Sequence, residues 1–301
     1  MLRQVGVPLL TSALFAGSFI AGKYTTLELG PLMTTLLRYA IALVFLSLLV
    51  AIRKPSLRLA KPDMLPMALL GVFGVVGYHA FFFLSLRYTA IANSAIINAF
   101  SPVVTGTLAA IAIHERLLVK NYVGCGVALI GVLILLTQGN LQNLLELQFN
   151  PGDLLMLAAV LSWAIYALII KQLSARYSGL TISYYAALSG LLLLMGLTLF
   201  EGYDQLQTLS IASVWAVLYM GIGASGTGYL LYNLSVGAIG PTKTATSIYS
   251  MVPVFVAILA FLFFRQPITG IMLGSVGLII VGVRLTLAPA TPATLLPPKK
   301  R

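Results

Sequence analysis

Residues 78–86, YHAFFFLSL, and residues 229–237, YLLYNLSVG, match when the sequence is compared with itself at an offset of 151 positions (78 to 229). Glycines and a proline that follow in each half align at the same offset. Near the start of each half, an offset of 148 positions (15 to 163) aligns FAGSFIAGKY, residues 15–24, with WAIYALIIKQ, residues 163–172. The pattern therefore predicts two similar halves.

The composition indicates that most of this chain is surrounded by lipid. Of its 301 residues, 59% are hydrophobic and only 8% are charged, whereas soluble proteins average about 25% charged residues. A soluble fold of this length could not cover its surface with so few charges. The net charge of +11 is spread between apolar runs, so it is expected to set membrane orientation rather than to bind nucleic acid.

Apolar runs long enough to span a bilayer need about 20 residues. The sequence holds ten such runs, near residues 5–27, 31–52, 64–87, 91–113, 120–137, 153–175, 180–200, 210–236, 242–264 and 268–287. With the N-terminus inside, most Lys and Arg residues fall in cytoplasmic segments, and Arg87 and Arg265 fall outside. This asymmetry predicts cytoplasmic N- and C-termini in a plasma or inner membrane.

Each half holds five predicted spans, so the second half enters the membrane upside down. Such inverted repeats are common in secondary transporters. We therefore predict an all-α integral membrane protein with a first repeat at 1–137, an extracytoplasmic linker at 138–152 and a second repeat at 153–287. The tail at 288–301 is predicted to be disordered in the cytoplasm.

Several motifs along residues 5–287 resemble the EamA-type branch of the drug/metabolite transporter superfamily. They are LRYAIAL at 37–43, SPVVTGTLAAIAIHE at 101–115, GCGVALIGVLI at 124–134 and the aromatic Trp163. The resemblance implies ten helices, cytoplasmic termini, a central cavity and the movement of small metabolites. The expectation of export rests on the resemblance alone.

Side chains that could face the interior of the bundle are candidates for substrate contact. The aromatic candidates are Tyr78, Phe82, Trp163, Tyr184, Tyr229 and Tyr249, and the polar ones are Arg38, His79, Asn98 and Asn233. Asn98 shares one helix face with Ser94, Ser101 and Thr105, which are spaced three or four residues apart. The alternative is that these polar residues hold helices together and that the aromatic residues only pack.

Two basic side chains are predicted well inside the membrane. Arg38, whose charge would cost about 2.5–3.5 kcal/mol at a helix centre, is expected either to snorkel outward or to reach backbone carbonyls or a substrate carboxylate. His79 has three open roles. It is a neutral histidine bonded to a neighbouring helix, a substrate contact, or a proton carrier, since imidazole titrates near neutral pH.

Pro102 and Pro253 are predicted near the middle of the fourth and ninth spans. Each removes a backbone donor and kinks its helix. The kink is either static or a gating hinge, and the symmetric placement of the two prolines is what favours a hinge.

Acidic residues lie only at the edges of the predicted spans, as for Glu28, Glu115 and Asp153. Exchange of cationic drugs for protons needs a buried carboxylate, so a zwitterionic or anionic amphipathic substrate, such as an amino acid, fits better. No cofactor is predicted. The single cysteine, Cys125, excludes an internal disulfide and does not indicate a metal site.

Two nucleotide-binding patterns are rejected. GIGASG at 221–226 satisfies G-x-G-x-x-G but lies in an apolar span without a preceding strand, so a close-packing face is expected there. GPTKT at 240–244 lacks a glycine that a P-loop needs. The leading hypothesis is a secondary transporter and not an enzyme. The rivals are a membrane-embedded enzyme that uses His79, which leaves the repeats unexplained, and a membrane scaffold without transport.

Overall fold

The computed structural model describes residues 5–25, 28–85, 88, 97–115, 117–137, 139–140, 142, 151–200, 209–265 and 269–288. Helices joined by short connections make up this part of the chain, and no strand occurs in it. Ser94, Arg87, most of the 138–152 linker and the tail beyond 288 lie outside the described residues.

Ten helical elements follow one another in the described ranges. They are α1 (Val7–Thr25), α2 (Pro31–Arg53), α3 (64–85), α4 (Ser101–Ala112), α5 (Val119–Thr137), α6 (Pro151–Leu173), α7 (Gly179–Leu197), α8 (Ile211–Ile239), α9 (Pro241–Phe264) and α10 (Gly270–Leu287). Two of them, α3 and α8, contain a π-helical stretch, at Gly71–Gly77 and at Met220–Gly228. Short 3₁₀ turns lie at Lys61–Asp63 and Thr198–Phe200.

The helix starts follow local sequence signals. Pro31 and Pro241 are the first residues of α2 and α9, where a missing N–H costs nothing because it would have no partner within the helix. Ser178, Ser210 and Thr269 precede α7, α8 and α10, and each side-chain oxygen accepts a hydrogen bond from a backbone N–H three residues later. These caps satisfy donors that the helix itself leaves open.

Eight helices of the described residues, α2, α3 and α5 to α10, are long and apolar enough to cross a bilayer. The apolar stretches Val7–Gly22 in α1 and Ser101–Ala112 in α4 are shorter. Val44, Ile111 and Val119 are 69–79% exposed, as expected for a surface that faces lipid. The protein is thus an all-helical, multi-pass membrane protein, while the count of ten spans and the position of the termini stay predictions.

Contacts between the helices recur in matched pairs when α1–α5 are set against α6–α10. Helix α1 packs on α9, and α6 packs on α4. Helix α3 packs on α6 and α7, and α8 packs on α1 and α2. Helices α2 and α7 contact each other, as do α5 and α10. The π-helical stretches occupy corresponding places in α3 and α8.

Glycines allow the closest of these contacts. A Cβ atom added to Gly282 of α10 would lie 2.3 Å from the backbone nitrogen of Ala128 in α5. In the glycine-rich segment 221–226, a Cβ atom on Gly221 would lie 2.6 Å from the Ile41 side chain of α2. This segment is therefore a surface where helices approach closely, as its sequence indicates.

Polar contacts tie helix ends together at both faces of the bundle. Asp63, before α3, accepts hydrogen bonds from Nη1 of Arg176 (2.9 Å) and Oη of Tyr177 (2.8 Å), both after α6. Glu28, between α1 and α2, accepts one from the backbone N–H of Ser210 (2.9 Å) at the start of α8. That N–H is the main cause, before the Ser210 and Ser213 hydroxyls, of a Glu28 pKa below its ordinary value of 4.5.

The two aligned prolines have different settings. Pro102 is the second residue of α4, which begins at Ser101 after a turn at Phe100, so it does not lie inside a continuous helix. It cannot donate to the carbonyl oxygen of Asn98, and Oγ of Ser101 donates to that oxygen instead, at 2.6 Å. Pro253 lies inside α9. A hinge role for either proline stays a prediction.

Candidate functional site

Trp163 lies at the centre of a group of aromatic rings inside the bundle, called here the aromatic cluster. Its ring centroid is 4.9 Å from those of Tyr78 and Tyr232, 5.1 Å from that of Tyr166 and 5.2 Å from that of Tyr229. These rings come from α3, α6 and α8. Trp163 and Tyr166 are spaced three residues apart, so one face of α6 presents both of them.

Three further rings extend the aromatic cluster. Phe82, one turn after Tyr78 on α3, stacks on it with centroids 5.9 Å apart and 9° between the planes. Tyr249 of α9 meets Trp163 edge to face at 6.2 Å, and Phe15 of α1 does so at 6.4 Å. Such offset and edge contacts are the favourable geometries for aromatic pairs. Five helices therefore meet at one apolar site.

His79 borders the aromatic cluster and is 5% exposed. Its Nδ1 lies 2.8 Å from the carbonyl oxygen of Val75, one turn earlier on α3. Because a carbonyl can only accept, Nδ1 holds a proton and donates it. The rings of Tyr39 and Tyr78 meet the imidazole edge to face, at 5.7 Å and 5.2 Å. The Nδ1 bond of His79 is thus made within its own helix, not to a neighbouring one.

Arg38 is buried inside the bundle, at 6% exposure, and does not extend to the outer surface. Its Nε donates a 2.7 Å hydrogen bond to Oγ of Ser225 in the π-helical stretch of α8. Its guanidinium carbon lies 6.0 Å from the centroid of the Tyr39 ring, within the range of a cation–π contact. No Asp or Glu of the described ranges forms an ion pair with it.

Asn233 links the aromatic cluster to α7. Its Oδ1 accepts a hydrogen bond from Oη of Tyr166 at 3.0 Å, and its Nδ2 donates one to Oγ of Ser183 at 2.8 Å. All three residues are buried. Asn98 lies just before α4, where its carbonyl oxygen and its Oδ1 accept from Oγ of Ser101 at 2.6 Å and 3.2 Å.

Three buried donors at this site have no hydrogen-bond partner within the described part of the chain. They are Nε1 of Trp163, Oη of Tyr39 and Oη of Tyr232. A buried donor without a partner costs about 1–3 kcal/mol. Donors of this kind beside apolar rings are suited to the acceptor atoms of an amphipathic molecule.

One candidate lies apart from these contacts. Tyr184, on α7, is half-buried and meets the ring of Tyr185 at 5.6 Å, and no ring contact in the described residues joins it to Trp163. Conversely, sequence reasoning missed Tyr39, Ser183 and Ser225. Tyr39 directly follows Arg38 in the LRYAIAL segment, which is the one local signal for it. Nothing local indicates the other two.

Metal-ligating residues do not cluster in the described ranges, where no group of three His, Cys, Asp or Glu could hold an ion. Cys125 is buried, and its Sγ lies 3.0 Å from Oγ1 of Thr246 in α9. The site therefore offers rings, neutral donors and one buried cation, which suit binding rather than metal chemistry.

A buried aromatic and cationic site between the helices of a multi-pass membrane protein is typical of proteins that handle small solutes within the bilayer. A family model described as the EamA-like transporter family matches residues 5–137 and 150–288. The chain belongs to this family, which confirms the resemblance drawn from the motifs. It is a membrane transporter.

Named relatives agree with the family match. The chain is 29% identical to the "uncharacterized transporter YyaM" of Bacillus subtilis over 264 residues, which cover 86% of this chain and 85% of that protein. It is 27% identical to a "probable amino-acid metabolite efflux pump" of Salmonella typhimurium (94% of each chain covered). It is 24% identical to a "probable terminal-alkyne amino-acid exporter" of Streptantibioticus cattleyicolor (94% and 93% covered).

A solved crystal structure has the same fold. It superposes with a TM-score of 0.77 at 19% sequence identity and covers 93% of this chain and 96% of its own.

Proposed function

We propose that all ten helices cross the membrane as two inverted five-helix repeats with cytoplasmic termini. The repeats are assigned to 1–137 and 153–287, with an outer linker at 138–152 and a cytoplasmic tail at 288–301. Three observations support this: the family model matches two separate ranges, the helix contacts recur in matched pairs, and the π-helical stretches correspond.

We further propose that the protein is a secondary transporter that exports an amino acid or a similar zwitterionic or anionic amphipathic compound across the plasma membrane. The main support is Arg38, a buried cation without an acidic partner in the described ranges. A substrate carboxylate would supply the opposite charge, and Arg binds carboxylates with its planar, forked donors. Two relatives are named for amino-acid export.

The aromatic cluster would hold the apolar part of such a substrate. Tyr78, Phe82, Trp163, Tyr229 and Tyr249 supply the rings. The unpaired hydroxyl of Tyr232 and indole of Trp163 supply donors. Asn233, bonded to Tyr166, and Asn98 are the proposed amide contacts. Tyr184 is the weakest member of the proposed site, because its ring contact lies elsewhere.

Two of the three roles open to His79 bear directly on transport, namely substrate contact and proton coupling. Its imidazole lies between two tyrosine rings beside the site. A pH gradient across liposomes separates the roles. If the gradient drives flux and His79→Ala loses only that drive, the histidine couples protons. If His79→Ala changes only substrate affinity, it is a contact.

Alternating access would require the cytoplasmic ends of α4 and α9 to separate. Glu115, just after α4, accepts a hydrogen bond from the hydroxyl of Thr242 in the first turn of α9. Thr246, one turn further along α9, contacts Cys125 of α5. Pro102 and Pro253 lie in these same two helices and are the proposed hinges.

The proposal is tested by counterflow of labelled amino acids into liposomes containing wild type, Arg38→Lys or Arg38→Gln. A hydrogen bond to a charged group contributes about 1.5–3 kcal/mol, so Arg38→Gln should weaken apparent affinity roughly 10–100-fold. The apparent affinity of Arg38→Lys should be intermediate, because lysine keeps the positive charge but lacks the paired, planar donors of the guanidinium group. The matched control is Arg284→Gln, which removes an exposed cation of α10.

Methyl esters of the same amino acids provide the discriminating substrates, since they lack the carboxylate. Wild type should prefer the acids, and Arg38→Gln should lose that preference. Equal transport of acids and esters by wild type would contradict the role of Arg38. Absence of flux for both acids and esters would contradict the proposed amino-acid substrate.

A further inference from the structure

The connection between α2 and α3, residues 54–60, is fixed against α7. Oη of Tyr185 donates a 2.7 Å hydrogen bond to the carbonyl oxygen of Leu57, and Oγ1 of Thr181 donates a 3.1 Å hydrogen bond to that of Ser56. These bonds hold an otherwise irregular segment in one path along the predicted cytoplasmic face.

Apolar and basic side chains alternate along this segment. Leu57 and Leu59 are half-buried, whereas Arg58 between them is exposed. Lys61, two residues after Leu59, and Arg53, at the end of α2, are exposed as well. Successive side chains of an extended chain point to opposite faces, so Leu57 and Leu59 pack inward while Arg58 between them projects from the protein.

An apolar groove lies directly beside the segment, between α3 and α7. Its lining includes Leu59 of the segment, Met64 and Ala68 of α3, and Leu188 and Leu192 of α7. Met64 and Leu192 are 59% and 63% exposed, so the groove opens towards the surroundings of the protein and not towards the aromatic cluster.

The hydroxyl groups in the groove lining are already bonded within the protein. Oγ of Ser189 donates to the carbonyl oxygen of Tyr185 at 2.8 Å, and Oη of Tyr185 donates to Leu57 as described. The groove thus offers a ligand apolar contact and little hydrogen bonding. An acyl chain fits this lining better than a polar solute does.

The charged residues on either side of Leu59 in sequence, Arg58 and Lys61, are exposed and positive. The acid next in sequence, Asp63, is 3% exposed and pairs with Arg176, so it does not offset Arg58 or Lys61. Basic residues beside an apolar groove at the cytoplasmic membrane surface form the arrangement that recognises anionic headgroups.

We propose that this groove binds an anionic phospholipid. One acyl chain lies between α3 and α7, and the phosphate contacts Arg58 and Lys61. This binding site is separate from the substrate site proposed above and does not depend on it.

Native mass spectrometry of the full chain in detergent tests this, with phosphatidylglycerol and phosphatidylcholine of identical acyl chains as probes. Wild type should retain phosphatidylglycerol preferentially. Each cation near a membrane surface contributes about a fivefold preference, so the double variant Arg58→Gln/Lys61→Gln should bind phosphatidylglycerol roughly 30-fold more weakly. Ala68→Phe, which fills the groove, should weaken binding of both lipids.

Matched controls are Arg284→Gln, an exposed cation of α10, and Ala212→Phe, an exposed alanine of α8. Both should bind lipid as wild type does, and thermal melts of all variants check folding. Equal retention of the two lipids by wild type, an unchanged affinity of Ala68→Phe, or displacement of the lipid by soluble glycerol phosphate would each overturn the proposal.

Discussion

Substitution of Gly282 by alanine should separate α5 from α10. The added Cβ atom would lie 2.3 Å from the backbone nitrogen and 2.7 Å from the Cα atom of Ala128, and 2.7 Å from the carbonyl oxygen of Gly124. All three are backbone atoms, so no side chain can rotate away. The shortest of these contacts is 1.1 Å short of the 3.4 Å at which ordinary van der Waals contact begins, and the helices must move apart by about this distance.

Separating the two helices lowers the free energy of unfolding. Overpacking a well-packed interior costs about 1–3 kcal/mol, and the cost at Gly282 lies at the upper end because its neighbours are backbone atoms. Replacing glycine by alanine within a helix returns up to about 1 kcal/mol. The net loss is therefore about 2 kcal/mol. Gly277 is the matched control, because it lies on the same helix and a Cβ atom there would meet nothing within 4 Å.

Thermal unfolding of the detergent-solubilised variants, followed by tryptophan fluorescence, measures the difference. A loss of 2 kcal/mol should lower the Tm of Gly282→Ala by roughly 4–8 °C, on the scale of soluble proteins of similar length. Gly277→Ala should melt at or slightly above wild type. If Gly282→Ala melts no lower than Gly277→Ala, the two helices do not meet at this glycine.

Three further predictions concern the helix ends. Folding lowers the pKa of Glu28 from 4.5, so its carboxylate stabilises the fold above pH 4.5 and stops doing so as the pH falls through the folded pKa. In thermal melts between about pH 7 and pH 3, Glu28→Gln should therefore lose less stability to acid than wild type. Equal losses in the two proteins would mean that the hydrogen bond from Ser210 to Glu28 does not stabilise the fold. Arg176→Gln should lower the free energy of unfolding by less than about 1 kcal/mol, because Arg176 is 57% exposed. Asp63→Ala removes a buried acceptor and should lower it by about 1–3 kcal/mol. Equal Tm values for the two variants would contradict this. Glu115→Ala removes the hydrogen bond from Thr242 and should speed the reaction of Cys125, the single cysteine, with a maleimide added from the cytoplasmic side. An unchanged rate would mean that Glu115 does not hold the cytoplasmic ends of α4 and α9 together.

Much of the fold follows from sequence because membrane helices have to be long and apolar. The apolar runs near 31–52 and 153–175 correspond to α2 and α6. The glycine-rich 221–226 segment could be predicted as a contact surface since only glycines let backbones approach so closely. In contrast, the turn before Pro102 was not predictable, because it depends on how Ser101 bonds to Asn98.

The candidate site was less accessible to sequence reasoning. Helices that are apolar on every side give no clue to their rotation, so Tyr184 could not be distinguished from Tyr229 before their neighbours were known. The partner of Arg38 is Ser225, 187 residues away in sequence, and no local pattern links the two. Residues joined across helices, such as Asn233 and Ser183, are found only when the packing is known.

The unequal π-helical stretches have a consequence for how the two halves can differ in length. The stretch in α3 has seven residues and the one in α8 has nine, so α8 holds two more residues in widened turns than α3 does. Each residue added to a regular α-helix turns everything after it by about 100°. A locally widened turn takes up surplus residues instead, so Tyr229 can keep the direction that Tyr78 has in the other half. The two halves can therefore differ in helix length without rotating the rings of the site out of register.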